Sequence, residues 1–248
     1  VTETPTADLA ARKRELLRRR LESAGLADAD ARSERIPRRP ADTPRLPLSY
    51  AQSRMWLLQQ LDPASPAYNV CLAIRLRGPL DPAALRTALQ GLIDRHEVLR
   101  TRYPAAGDGS PEQLVDAEAE VEFDAVDLRG LPEQERESRA TELARTASAT
   151  PFDLASDHPL RTLLIHRAEQ DHTLVLTVHH IAWDGGTFNA LSRDLSALYR
   201  AAATGEPSPL EQLPLQYGDF ALWQRTTWTD ERLAGHLDHW RTILVPPP

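Results

Sequence analysis

Cysteine occurs once in this chain, at Cys71, and lysine once, at Lys13. A single thiol excludes an internal disulfide and any metal site built from cysteines. Arginine therefore carries almost all of the positive charge. Acidic residues outnumber basic ones 36 to 29, for a net charge of −7, which argues against general nucleic-acid binding. No apolar run approaches the roughly 18 to 20 residues that cross a bilayer, and the first residues lack the apolar core of a secretion signal. These absences predict a soluble, cytoplasmic protein with no membrane partner and no resident metal.

What is present is an ordinary globular composition. The 248 residues are 41% hydrophobic and 26% charged, enough for one large domain or two small ones. Residues 1–26 read as a basic helix: Leu9, Leu16, Leu17 and Leu21 share a stripe, Gly25 is suited to end it, and six basic residues between Arg12 and Arg20 face one acid, Glu15. That charge run is either a solvated face or a dock for an acidic partner. Residues 27–46, rich in Asp, Arg and Pro without periodicity, read as a linker, and 47–248 as the globular part.

From Pro47 onward the elements alternate. Ser49 and Gln52 form a capping-box pattern ahead of Trp56, Leu57 and Leu61, so a short helix starts there. Val70, Leu72, Ile74 and Leu76 alternate as a strand does. Asp81 as cap and Pro82 at the first position open a helix with Leu85, Leu89, Leu92 and Ile93 on one face. Residues 113 to 126 suggest two short strands, and Pro132 opens a charged helix to about Ser148. Two further strands, Leu160 to His166 and Thr173 to His179, flank a polar turn. A helix follows from Thr187 to Tyr199, and a final one from Tyr217 to Ile243 in one or two pieces. This order predicts an α/β or α+β sandwich, a mixed sheet covered by helices on at least one face.

The most informative string is TVHHIAWDGG, residues 177–186, where a strong strand gives way to a turn. Neighbouring strand side chains point to opposite faces, so His179 and His180 cannot both face one cavity unless the strand has bent. One is then reactive and the other supports it. An unperturbed imidazole titrates near neutrality and can take a proton from an attacking amine. Asp184 can pair with a cation or hold the turn, and Gly185 lets the backbone approach a reacting carbonyl. On these residues alone three roles stand open: acyl-transfer catalysis, a hydrogen-bonded pair in the core, and a site of two imidazoles and a carboxylate for a metal.

Three more blocks accompany HHIAWDG in order: LSYAQSRMWLL from Leu48, RHEVLRTRY from Arg95 and YGDFALW from Tyr217. With them the chain resembles the condensation domains of nonribosomal peptide synthetases over nearly its whole length. The resemblance implies a chloramphenicol acetyltransferase-like fold in which two lobes face each other across a channel; this chain is similar to the first lobe only. It implies amide formation between donor and acceptor acyl groups held on the 4′-phosphopantetheine arms of carrier proteins, with no cofactor bound directly. An adenylation domain and the chain's own C-terminal lobe are the other implied partners. His180 is then the main catalytic group, His179 supports it from behind, and Gly185 offers its backbone N–H to the oxyanion. Asp184 is implied to be structural, salt-bridged to Arg95 or Arg100, with Asp219 hydrogen-bonding across the lobe. Met55, Trp56 and Leu57, and likewise Tyr217, Phe220 and Trp223, read as packing first.

Some departures matter. Many members carry tryptophan and serine after the aspartate-glycine pair, where this chain has Gly186, Thr187 and Phe188, so the stereochemical subtype is left open. The histidine pair argues against heterocycle formation, and Gly185 argues against epimerization. Two other readings remain: a non-catalytic lobe that docks carrier proteins, and an acyltransferase using free coenzyme A or a hydroxyl acceptor. Without a second wall the chain alone is expected to form little or no amide, since proximity and orientation need both.

Overall fold

The computed structural model describes residues 35–40 and 42–244. The basic helix expected within 1–26 lies outside the described residues. One compact unit spans Arg38–Pro248. In chain order its elements are β1 (Arg45–Pro47), α1 (Tyr50–Leu61), β2 (Asn69–Arg77), α2 (Pro82–Arg95), β3 (Thr101–Arg102), β4 (Glu112–Val115), β5 (Phe123–Asp127), α3 (Glu133–Ala149), β6 (Leu160–Ala168), β7 (Asp171–His179), α4 (Thr187–Thr204), α5 (Tyr217–Thr227) and α6 (Asp230–Ile243).

The main sheet runs β2-β7-β6-β5. Strand β7 is antiparallel to both neighbours, in register with β2 from Asn69 opposite His179 to Arg77 opposite Asp171. β5 lies parallel to β6, and α3 makes the crossover such a pair requires. Alternation along the strands sorts the side chains. Leu174, Leu176 and Val178 of β7, with Leu160 and Leu164 of β6, pack toward α2 and α4. On the opposite face Val175 and Ile165 meet Ala140, Leu143 and Ala144 of α3. Helices therefore cover both faces, as an α/β sandwich requires.

The caps follow the sequence pattern. Gln52 N–H donates to Ser49 Oγ and Ser49 N–H to Gln52 Oε1, at 3.2 and 3.0 Å. Asp81 Oδ1 accepts from the N–H groups of Ala83 and Ala84. Gly205, at φ 72°, ends α4 in the left-handed conformation that glycine adopts without cost. The last helix is two pieces, parted at Trp228 and Thr229.

Two expectations need correction. The stretch read as linker is structured at its end: β1 pairs with β4 in a second sheet, β1-β4-β3, and a strand of three residues is too short to carry a period. Just before it, Arg39 donates from Nη1 to Asp219 Oδ1 at 3.0 Å and from Nη2 to Glu97 Oε2 at 2.6 Å. Leu57, read as core, is 55% exposed, while Met55 and Trp56 pack on the core as expected. The inward face of α1 is partly polar instead. Buried Gln52 donates to Gln113 Oε1 and to the Tyr103 hydroxyl, and buried Gln59 donates to the carbonyls of Pro63 and Phe152.

Helix α5 crosses β1 closely at Gly218. A Cβ there would stand 2.5 Å from Leu46 Cδ1, and Leu46 is itself buried. Gly218→Ala is therefore expected to destabilise the lobe by about 1–3 kcal/mol, despite a helix-propensity gain of up to about 1 kcal/mol. Thermal denaturation checks the sign; a more stable variant would mean that the helix and strand do not meet this closely.

Candidate active site

Strand β7 ends at His179, and residues His180–Ala182 form a single 3₁₀ turn. The bend separates the two imidazoles. His179 is 1% exposed, on the strand face opposite Val178, with the Phe152 ring edge-on at 6.0 Å and the Tyr68 ring at 6.4 Å. Its Nδ1 accepts the Ile181 N–H at 3.1 Å, which closes the turn, whereas Nε2 has no partner among the described residues. Burial, with a smaller contribution from neighbouring His180, pushes this imidazole down to about 4. It is neutral at physiological pH.

His180 is exposed, and its backbone N–H donates to the Tyr68 carbonyl at 2.8 Å, one step beyond the last rung of the β2–β7 ladder. The ring is thus open to solvent while its backbone is held by the sheet.

Asp184 organises the entry into α4. Its Oδ1 accepts from the N–H groups of Gly186 and Thr187, both at 3.0 Å, and from the Thr187 hydroxyl at 2.7 Å. The Asp184 N–H donates back to Thr187 Oγ1 at 3.0 Å. Two orphan donors at the start of α4 are satisfied in this way. The Thr187 hydroxyl, chiefly, holds the carboxyl below its usual range against partial desolvation. Gly185, between these groups, is exposed with open space where a Cβ would stand, and no described residue accepts its N–H.

The salt bridge from Asp184 to Arg95 or Arg100 is not formed. Arg95 Nε donates to Asp194 Oδ2 at 3.0 Å and its Nη1 to the Glu211 carbonyl. Arg100 lies near Glu97 and donates to the Asp116 carbonyl. The reason is helix packing: α2 meets α4 along its length, so the arginine at the end of α2 reaches the middle of α4 rather than the loop before it. Asp194 is fully buried and also accepts from His96 Nε2 at 2.9 Å and Arg193 Nε at 2.8 Å. Burial alone would raise its carboxyl, but the three donors outweigh it and the net direction is down. His96 is shifted down, chiefly by burial, despite that carboxylate. Neither Asp194 nor His96 was singled out from the sequence. The available signal was a carboxylate on the same helical face as Leu191 and Leu198, where an unpaired charge is too costly to keep.

Asp219 does bond across the lobe. Besides Arg39 it accepts the Gln216 N–H at 2.8 Å, capping α5. Tyr217, Phe220 and Trp223 form a ring series at 5.5 and 5.9 Å, with the Tyr217 hydroxyl on Ser49 Oγ. Among the described residues no helix is long and apolar enough to cross a membrane.

Similarity to known proteins points in one direction. The family model described as "Condensation domain" matches residues 43–246. Phosphinothricin tripeptide synthetase PhsC of Streptomyces viridochromogenes is 42% identical over 99% of this chain, and the isonitrile lipopeptide synthase of Mycobacterium tuberculosis is 42% identical over 82%. The chain spans only 22% and 8% of those two synthetases. The first condensation domain of the calcium-dependent antibiotic synthetase, solved with a substrate analogue, superposes with a TM-score of 0.72 at 25% identity, over 82% of this chain and 48% of that one. The X-domain from teicoplanin biosynthesis, solved in complex with OxyB, gives a TM-score of 0.73 at 32% identity, over 86% and 45%. By the family match across most of its length, the chain belongs to the condensation-domain family.

Proposed function

We propose that this chain is the amino-terminal lobe of a condensation domain that joins two carrier-bound acyl groups through an amide bond, with His180 as the group that handles the attacking amine. One observation carries the proposal: of two adjacent imidazoles, His179 is sealed and neutral while His180 stands open on a backbone fixed by the sheet. In the reaction, the acceptor amine attacks the donor thioester carbonyl, the C–N bond forms, the C–S bond breaks, and the thiol of the donor's phosphopantetheine arm leaves. The nitrogen becomes positively charged on attack and must lose a proton, and the thiolate takes one up. Whether as base or as anchor for the amine, the ring has to face the reacting nitrogen within hydrogen-bond reach. The Gly185 N–H, exposed five residues further on, is the donor for the carbonyl oxygen as that oxygen turns negative.

Asp184 keeps the structural task that the resemblance implied, with the turn in place of an arginine as its partner. Its bonds to Gly186 and Thr187 set the start of α4 and hold the Gly185 peptide between two fixed points. The groove between α2 and α4, lined by Gln90, Gly91, Leu198 and Ala201, does not include His180. An open surface at His180 fits a site completed by a second wall. The carrier proteins, their phosphopantetheine arms and an adjoining adenylation domain belong to this proposal as partners.

A docking role is the second reading, favoured by the likeness to an X-domain found in complex with OxyB. The two separate in a carrier-to-carrier condensation assay on a complete domain carrying this lobe. His180→Ala is expected to lower turnover by about 10²-fold or more with the melting temperature unchanged; turnover equal to that of the unsubstituted domain would support docking instead.

His179 gives a separate expectation. Its folded imidazole titrates at about 4 and an unfolded one at about 6.5. Below pH 6.5 the unfolded chain binds a proton that the folded one refuses, so stability is lost as pH falls toward 4. The full loss is about 3 kcal/mol. His179→Gln should remove that share from the pH dependence of urea unfolding midpoints; an unchanged pH profile would mean the ring is not sealed.

A further inference from the structure

We propose that Asn69 is a positioning residue for His180, acting through the Tyr68 carbonyl. Asn69 opens β2 and stands opposite His179 in the ladder. Its side-chain amide has two donor hydrogens, and Nδ2 lies 2.9 Å from the Ser148 carbonyl and 2.8 Å from the Thr150 carbonyl. Both belong to the C-terminal end of α3, where helix carbonyls have no partner of their own. One side chain therefore ties the start of β2 to the end of a helix some 80 residues later.

The residue just before it, Tyr68, carries the carbonyl that receives the His180 N–H. The backbone N–H of Asn69 is itself bound to the Pro66 carbonyl, so Tyr68 lies between two fixed points. Without the Asn69 side-chain bonds, the start of β2 would be held only by ladder pairing and the Asn69–Pro66 turn, and strand ends fray first. The same tie reaches His179. Thr150 O accepts from Arg161 Nη1 as well as from Asn69, and the Arg161 guanidinium lies 3.9 Å over the Phe152 ring. Phe152 packs edge-on against His179, whose Nδ1 closes the turn that presents His180. Asparagine meets the requirement because it supplies two hydrogens from one nitrogen on a short stem; aspartate would face two carbonyl oxygens with a negative charge.

Because this role rests on His180 being the group that handles the amine, the test needs two readouts. The first is amide hydrogen exchange at His180 in this chain. Asn69→Ala is expected to speed exchange there about tenfold beyond any change at Leu164 and Ile165 in the sheet centre. The second is condensation by a complete domain carrying the lobe, where Asn69→Ala should lower kcat about tenfold or more with donor KM nearly unchanged. Asp81→Ala, which removes the α2 cap at the other end of β2, is the destabilising control and should alter neither. If Asn69→Ala does not fold, Asn69→Leu keeps a branched side chain of similar shape and removes both donors without adding charge, and the same exchange ratio is read. Exchange at His180 that stays constant, or rises only in step with the sheet centre, overturns the role. Normal kcat in Asn69→Ala alongside a dead His180→Ala also overturns it while leaving the proposed function intact; normal kcat in His180→Ala overturns the proposed function itself.

Discussion

Strand parity governs this site. Side chains alternate between the faces of β7, and the face carrying Leu174, Leu176 and Val178 is buried under α2 and α4. A slip of one residue would drive those groups to the other face and exchange the positions of the two histidines. Pairing with β2 on one side and β6 on the other holds that register along the strand. His179 must then point into the wall, and only the turn after it frees His180. Where the strand stops decides which of the two rings is open.

Elsewhere in the fold, buried charge does the bracing. Asp194 and Asp219 are both nearly inaccessible carboxylates, and each is satisfied by several donors rather than one. Their main partners are arginines, whose planar forks can serve two acceptors at once, as Arg39 does with Asp219 and Glu97. Helix α4 is gripped twice, at its start by Asp184 and at its middle by Asp194. A loop between a paired strand and a helix so held has little freedom to wander.

Much of this was legible in the residues alone. The alternation of β2, the caps at Ser49 and Asp81 and the double-histidine string are local patterns, and local patterns survive folding. What escaped were pairings that only tertiary contact creates. Arg95 sits near Asp184 in an expected motif scheme, yet helix packing delivers it to Asp194. Leu57 looked like core because leucine usually is, but α1 turns Gln52 and Gln59 inward and meets their hydrogen-bonding needs there. β1 was too short to show a period, and its place depends on β4 far along the chain.

The clasp between Arg39 and Asp219 has a temporal side. The two residues are 180 positions apart, and the acceptor belongs to α5, one of the last elements in chain order. A polypeptide made from its amino end displays the guanidinium long before the carboxylate exists. Until then, of its two acidic partners among the described residues, Glu97 alone has been synthesised. Closing so long a loop costs entropy that only the completed contact returns. On the ribosome, then, the central sheet can assemble early while the edge formed by β1 and α5 waits for the carboxyl-terminal helices to emerge.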